Sequence, residues 1–220
     1  MRNTMESLEL TGVVLYAQPL GEYDKRLDIL TVDRGKITAF AHGARRPNSP
    51  LMAACNPFVF GSFTVIPGRN AYTLRSVKAA NYFTELAAAQ PGIYYGFYFL
   101  ELASFFSAEE MEARETVNLI YVSLRAILKE NVPLEFLRRV YECRILSENG
   151  VFAPPQERGS MEESAWYALR FTSLCKLSEL YSFRLSGKAE EDYTEYVEKM
   201  MRRAVDRPMK SLALLLAMTR

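Results

Sequence analysis

At 220 residues, 49% hydrophobic and 24% charged, with a formal net charge of +1, the chain has the composition of a packed protein. That balance excludes a disordered chain and a continuous coiled coil, and the length admits one domain or two. The near-neutral total hides an asymmetry: ten Lys and Arg stand against six Asp and Glu up to Ala80, a net of +4, and 17 against 20 beyond it, a net of −3. A basic first part fits a polyanionic partner and equally fits ordinary solvated surface.

Met1 to Leu10 holds Arg2, Glu6 and Glu9 and no apolar run of signal-peptide length, so export is not expected. From Thr11 to Asn81 short β-rich runs alternate with turn residues. Val13, Val14, Leu15 and Tyr16 form the first run, ended by Pro19 and Gly21. Leu27, Ile29, Leu30 and Val32 mark the second. Asp33-Arg34-Gly35 then turns the chain into Ile37, Ala39, Phe40 and Ala41, so this pair reads as a hairpin. After a polar loop at 42–50, a fourth run covers 58–66, and Pro67-Gly68-Arg69-Asn70 leads into a fifth at 72–78. Five short strands in this space fit a small barrel. The strand count does not separate an OB barrel from an SH3-like barrel or a small sandwich.

Beyond Tyr82 the pattern becomes helical. Residues 93–106 are rich in Tyr and Phe, include Glu101 and are too few to cross a bilayer, which predicts a buried helix. Ser107-Ala108-Glu109-Glu110 reads as a helix start, a serine cap followed by early acids, with the helix continuing through 112–130. Pro133 suits the first turn of a helix running through Phe136, Leu137, Val140, Tyr141, Ile145 and Leu146 and closing at Asn149-Gly150. A loop at 153–160 precedes helical segments near 161–185, 190–205 and 210–218. The expected architecture is α+β: a five-stranded barrel over residues 1–80, then an α-helical domain over 81–220.

Groups able to carry covalent chemistry are sparse. His42 is the only histidine, and Cys55, Cys143 and Cys175 are too scattered for a disulfide framework or a CxxC metal site. Buried free thiols in a reducing cytoplasm are expected, with no catalytic site, metal or cofactor. There is no Walker A, Rossmann or HExxH pattern. A small hydrolase acting through His42 or Cys55 is the least favoured reading. The sharpest local feature is His42-Gly43-Ala44-Arg45-Arg46-Pro47-Asn48-Ser49-Pro50, a basic loop between strands. The guanidinium groups of Arg45 and Arg46 suit phosphate pairing and base stacking. Arg34 and Lys36 on the preceding hairpin, with Arg69, Arg75 and Lys78 on the later strands, extend the candidate surface. Tyr16, Phe40 and Tyr72 are either stacking residues or core.

These residues resemble the RecO family of recombination mediators. Leu10-Thr11-Gly12-Val13-Val14-Leu15 followed by Gly21-Glu22-Tyr23-Asp24 is similar to the family's opening strand and acidic turn. Leu30-Thr31 through Gly35-Lys36, then Gly43-Ala44-Arg45-Arg46-Pro47, resembles its next strand pair and arginine loop, and Asn56-Pro57-Phe58 its following strand entry. Tyr98-Phe99-Leu100-Glu101-Leu102, Phe136-Leu137-Arg138-Arg139-Val140-Tyr141-Glu142 with Gly150, and Lys210-Ser211-Leu212 look like the family's later segments in the same order. Many members carry a four-cysteine zinc knuckle after the glycine that Gly150 matches; here only Cys175 follows, so no zinc is expected.

The resemblance implies an OB-type barrel, binding of single- and double-stranded DNA, strand annealing and help in loading the RecA recombinase onto DNA coated by single-stranded DNA-binding protein. It also implies RecR and the acidic tail of the coating protein as partners, with Arg138 or Arg139 in the tail-docking groove, and a cytoplasmic, nucleoid-associated location away from membranes. The alternative is an OB-fold regulator that binds RNA or DNA.

Overall fold

The computed structural model describes residues 6–219; residues 1–5, which carry part of the expectation about a leader, lie outside them. The chain divides into two compact units. One holds the residues up to Thr84 together with Ser104–Val117, and the other holds Glu85–Ala103 and the rest of the chain from Asn118.

The first unit is built on five strands: β1 (Leu8–Leu20), β2 (Asp24–Thr31), β3 (Gly35–Ala41), β4 (Phe60–Pro67) and β5 (Tyr72–Asn81). They close into a barrel in the order β1-β2-β3-β5-β4. Every pairing is antiparallel except β3 with β5, where Ala39 and Phe40 lie beside Tyr72 and Thr73. Five strands closed in this way form an OB-type fold. The expected hairpin is present, its register running from Lys25↔Ala41 to Thr31↔Gly35. Alternation through β3 and the middle of β2 places Leu27, Ile29, Ile37, Ala39 and Ala41 in the barrel core with Leu10, Val14, Phe63, Val65 and Leu74.

β1 is longer than its sequence suggests, because it runs through Pro19 to Leu20. β4 pairs only with Leu8 to Val13, so the far half of β1 has an open edge where a missing N–H is tolerated. A bulge between Val14 and Tyr16 lets Val13, Val14 and Leu15 all be buried and turns Tyr16 outward.

Residues 107–113 are not the helix start that their sequence predicts. They form a strap across the β2–β3 turn: Lys36 N–H donates to Ala108 O (3.0 Å), Glu110 N–H to Arg34 O (3.0 Å) and Ala113 N–H to Val32 O (2.9 Å). The turn provides backbone acceptors and donors in strand-like order, and these outcompete the weak preference of two glutamates for a first helical turn.

The helices are α1 (Gly92–Phe106), α2 (Arg114–Lys129), α3 (Leu134–Glu148), α4 (Glu163–Leu174), α5 (Lys188–Ala204) and α6 (Lys210–Met218). In the second unit α3 packs on α4 and α5 around Phe136, Leu137, Val140, Tyr141, Leu169, Tyr193 and Val197. The expected long helix from 161 ends instead at Leu174. Cys175 is extended, and Arg144 Nη1 reaches back to donate to Cys175 O (2.8 Å) and Thr172 O (3.3 Å), which satisfies carbonyls at the helix end. Gly150, at φ 68°, ends α3 as the sequence suggests. Among the described residues no helix is long and apolar enough to cross a membrane.

Candidate nucleic-acid interface

Polar side chains of β2 and β3 point away from the barrel core, and at one end of the hairpin they lie on an open face. Arg26 and Asp28 of β2 stand beside Thr38 and Phe40 of β3, and on the other side beside Gln18 and Tyr16 of β1. Tyr16 is 53% exposed. Arg26 Nη2 donates to Asp28 Oδ1 (3.1 Å) and Thr38 Oγ1 (3.4 Å), and Thr38 Oγ1 donates to Asp28 Oδ1 (3.2 Å). These bonds tie the guanidinium to Asp28 and Thr38 on strands that also carry Tyr16 and Phe40. Such a surface places one cation and two aromatic side chains on neighbouring strands.

The basic loop is anchored to the tip of the same face. Asp24 Oδ1 accepts the Gly43 N–H (2.8 Å), and Asp24 Oδ2 lies 2.7 Å from His42 Nδ1. The Gly43 amide, and then the His42 ring, hold the Asp24 carboxyl below its ordinary range. Arg45 donates its own N–H to Tyr23 O (2.8 Å) and Nη1 to Gly21 O (3.0 Å). The Arg46 guanidinium carbon sits 5.2 Å from the centre of the Tyr23 ring, a cation–π distance. Farther along, Lys25 Nζ donates to Cys55 O (2.9 Å) and Asn56 Oδ1 (2.8 Å), so the connection to β4 is fixed as well. Arg45 and Arg46 are both exposed. The loop is therefore preorganised rather than loose, with both arginines facing solvent.

The structure does not gather all the candidate cations. Arg34 and Lys36 lie at the opposite end of the β2–β3 hairpin, six rungs or roughly 20 Å from Ala41. Both are engaged by the strap: Arg34 Nη1 pairs with Glu110 (3.2 Å), and Lys36 Nζ donates to Ser104 O (2.6 Å). Arg69 is exposed in the β4–β5 turn. Arg75 occupies a bulge in β5, between Leu74 and Ser76, where the strand extends past its last rung with β3. Tyr72 packs on the barrel core. Sequence reasoning missed Arg26 and the Tyr23–Arg46 pair. The signal for Arg26 was available in the alternation of Arg26 and Asp28 with Leu27 and Ile29.

On α3 both arginines are buried. Arg138 Nη1 and Arg139 Nη1 converge on Glu142, at 3.2 Å from Oε1 and 2.9 Å from Oε2. Arg138 also pairs with Glu135, and Arg139 with Glu198 of α5. Glu142 is 1% exposed and accepts the Tyr98 hydroxyl at 2.8 Å. Burial, and then the Glu142 charge, raise the Tyr98 hydroxyl well above its usual range. These guanidiniums have no free face for a ligand carboxylate unless Glu135 or Glu198 gives way.

The Cys55 thiol of the hydrolase reading is not activated as a nucleophile. Burial pushes the Cys55 thiol up to about 11, and the Cys143 thiol is pushed up to about 12 for the same reason. Among the described residues no three His, Cys, Asp or Glu side chains gather as metal ligands.

An OB-type barrel with an open aromatic and basic face, on a chain that also carries a helical unit, defines a class of binding proteins. Residues 5–83 match the family described as recombination protein O N terminal. The chain is 32% identical over 144 residues to the DNA repair protein RecO of Alkaliphilus metalliredigens, which covers 66% of this chain but only 58% of the relative. It is 24% identical over 237 residues to that of Acetivibrio thermocellus, covering 92% and 94%. It is 26% identical over 241 residues to that of Clostridium perfringens, covering 96% and 98%. The barrel match and the two whole-length alignments agree: the chain is similar to the RecO family along nearly its whole length.

Proposed function

We propose that the protein is a non-enzymatic mediator of DNA repair and recombination that holds single-stranded DNA on the outer face of β1, β2 and β3. The observation that carries this reading is the preorganised row of Tyr16, Arg26 and Phe40, continued by the anchored Arg45 and Arg46. Rings on an open face stack bases without sequence preference, and cations follow the phosphates. Arg69 and Arg75 extend the basic surface along β5. Arg34 and Lys36 join it only where DNA competes with the strap.

From binding follow the finer activities: contact with double-stranded DNA, annealing of complementary strands, and help in loading RecA onto strands coated by single-stranded DNA-binding protein. Annealing needs no covalent step, because charge neutralisation and proximity are enough to bring two backbones together. RecR and the acidic tail of the coating protein are the proposed protein partners, and the nucleoid the proposed location. In tail docking, Arg138 and Arg139 act as the buried support of the α3 surface rather than as direct ligands, since their terminal nitrogens already meet carboxylates.

The test is the double substitution Arg45→Ala with Arg46→Ala. Removal of one phosphate-pairing cation should reduce the slope of log affinity against log salt by about 0.7, so a drop of roughly 1.4 is expected for single strands. A folded double variant with the parent's affinity and slope removes the loop from the interface.

A further inference from the structure

The second unit carries as many Asp and Glu as Lys and Arg, yet its balance is strongly basic over 199–210, where Lys199, Arg202, Arg203, Arg207 and Lys210 stand against Asp206 alone. All five cations are exposed. Lys199, Arg202 and Arg203 lie three and four residues apart on α5 and so share one flank of the helix. Glu198 is shared between two arginines, pairing with Arg139 and, at 4.0 Å, with Arg202 Nη1. No ion pair reaches Lys199 or Arg203 among the described residues.

The flank continues onto the loop before α4. Lys199 and Arg158 line one depression of about 370 Å³ with Gly159, Ser160 and Tyr196. Of the two acids in that depression, Asp192 is taken by Lys188 (2.8 Å) and by the Glu162 N–H (2.8 Å), which leaves Glu195 against two cations. Tyr196 OH donates to Ala153 O (2.7 Å) and Trp166 Nε1 to Pro155 O (3.0 Å), so the loop carrying Arg158 is tied down. The start of α6 is not part of this surface, because Glu101 already accepts the Lys210 and Ser211 amides.

We propose that Arg158, Lys199, Arg202 and Arg203 form a second contact for a nucleic-acid phosphate backbone, separate from the barrel face. The inference rests on the reading of the barrel as a single-strand site. It gives one chain two backbone-binding surfaces, one on each unit, as simultaneous engagement of two strands requires. A helix that ends in Arg202 and Arg203 also complements its own dipole. That role would affect stability alone, whereas backbone binding would change how much DNA the chain holds.

The experiment titrates the full-length protein with a short labelled oligothymidylate at low salt and follows annealing of two complementary oligonucleotides by energy transfer. Two variants are used: Lys199→Gln with Arg202→Gln and Arg203→Gln, and Arg158→Gln with Lys199→Gln, the second avoiding the last helical turn. Both should bind one oligonucleotide where the parent binds two, and should anneal at least tenfold more slowly. The triple variant should also show a salt slope smaller by about 2, from three cations at about 0.7 each. If a folded variant of either kind keeps the parent's stoichiometry and annealing rate, the second surface does not exist. Arg45→Ala with Arg46→Ala, combined with Arg26→Ala, serves as the control for the barrel: if it keeps both binding events while the α5 variants lose one, the barrel reading fails and the α5 surface stands.

Discussion

Glu142 holds together the most demanding part of the helical unit. It is fully enclosed and is the common acceptor for Arg138, Arg139 and Tyr98. Glu142→Gln would leave two buried guanidiniums without their shared counter-charge, and removing one partner of a buried ion pair costs about 3–5 kcal/mol. A urea midpoint within experimental scatter of the parent's would contradict this. Arg139 Nε, buried without an acceptor among the described residues, shows that the network has no spare capacity to absorb the loss. Asp24 makes the opposite kind of prediction, one about pH. Its folded pKa is depressed, first by the Gly43 amide and then by His42. The stabilisation it provides is therefore complete above the ordinary carboxylate range and is lost as pH falls through the lowered folded value. Hydrogen exchange at the Gly43 amide should stay slow from neutral pH into mild acid and become faster, beyond the intrinsic pH trend, only below that range. The same amide in Asp24→Asn should lack this acid step. The sequence pointed to Arg45 and Arg46, but nothing in it indicated that a carboxylate across the β1–β2 turn pins their loop.

Strands were the most legible elements, because period-two burial in β2 and β3 and the Asp33-Arg34-Gly35 turn act locally. The strap was not legible, since its bonding partners lie about 75 residues away in the chain. Gly35 is what allows the strap to close. It sits at φ 63°, and a Cβ there would collide with Ala108 O and lie 2.6 Å from Met111 O. Gly35→Ala is therefore expected to cost about 1–2 kcal/mol for the left-handed backbone alone, with further loss as the strap is displaced. The checking measurement is hydrogen exchange at Lys36 and Glu110, whose amides bridge turn and strap. Protection should fall at these two positions and persist at the β1–β2 rungs. A uniform fall across the barrel would mean that Gly35 serves the hairpin rather than the strap. The early end of α4 was hidden for a similar reason: the carbonyls that Arg144 satisfies belong to a helix beginning almost twenty residues later in the chain.

The division of the chain into a β part and a helical part can be read from where one period gives way to another, but the compact units do not follow a single cut. Ser104–Val117 belongs with the barrel, although it falls among the helices in sequence order. Composition and periodicity describe neighbours along the chain, whereas a strap is defined by what it covers. A fragment ending at Thr84 would keep all five strands and lose the partners of the β2–β3 turn. Arg34 would lack Glu110, Asp33 would lack Arg114, and the amide of Lys36 would lack Ala108 O. Such a fragment should melt well below the intact barrel, and adding a synthetic peptide of residues 104–117 should raise its Tm. A ligand that binds only the folded form stabilises by RT ln(1 + [L]/Kd), so at one hundred times the peptide's Kd the gain is about 2.7 kcal/mol. A second peptide with Glu110→Lys should shift the melt much less, because it replaces the Arg34 ion pair with repulsion. If neither peptide moves the melt at millimolar concentration, the strap is a passenger of its flanking helices and the barrel stands on its five strands alone.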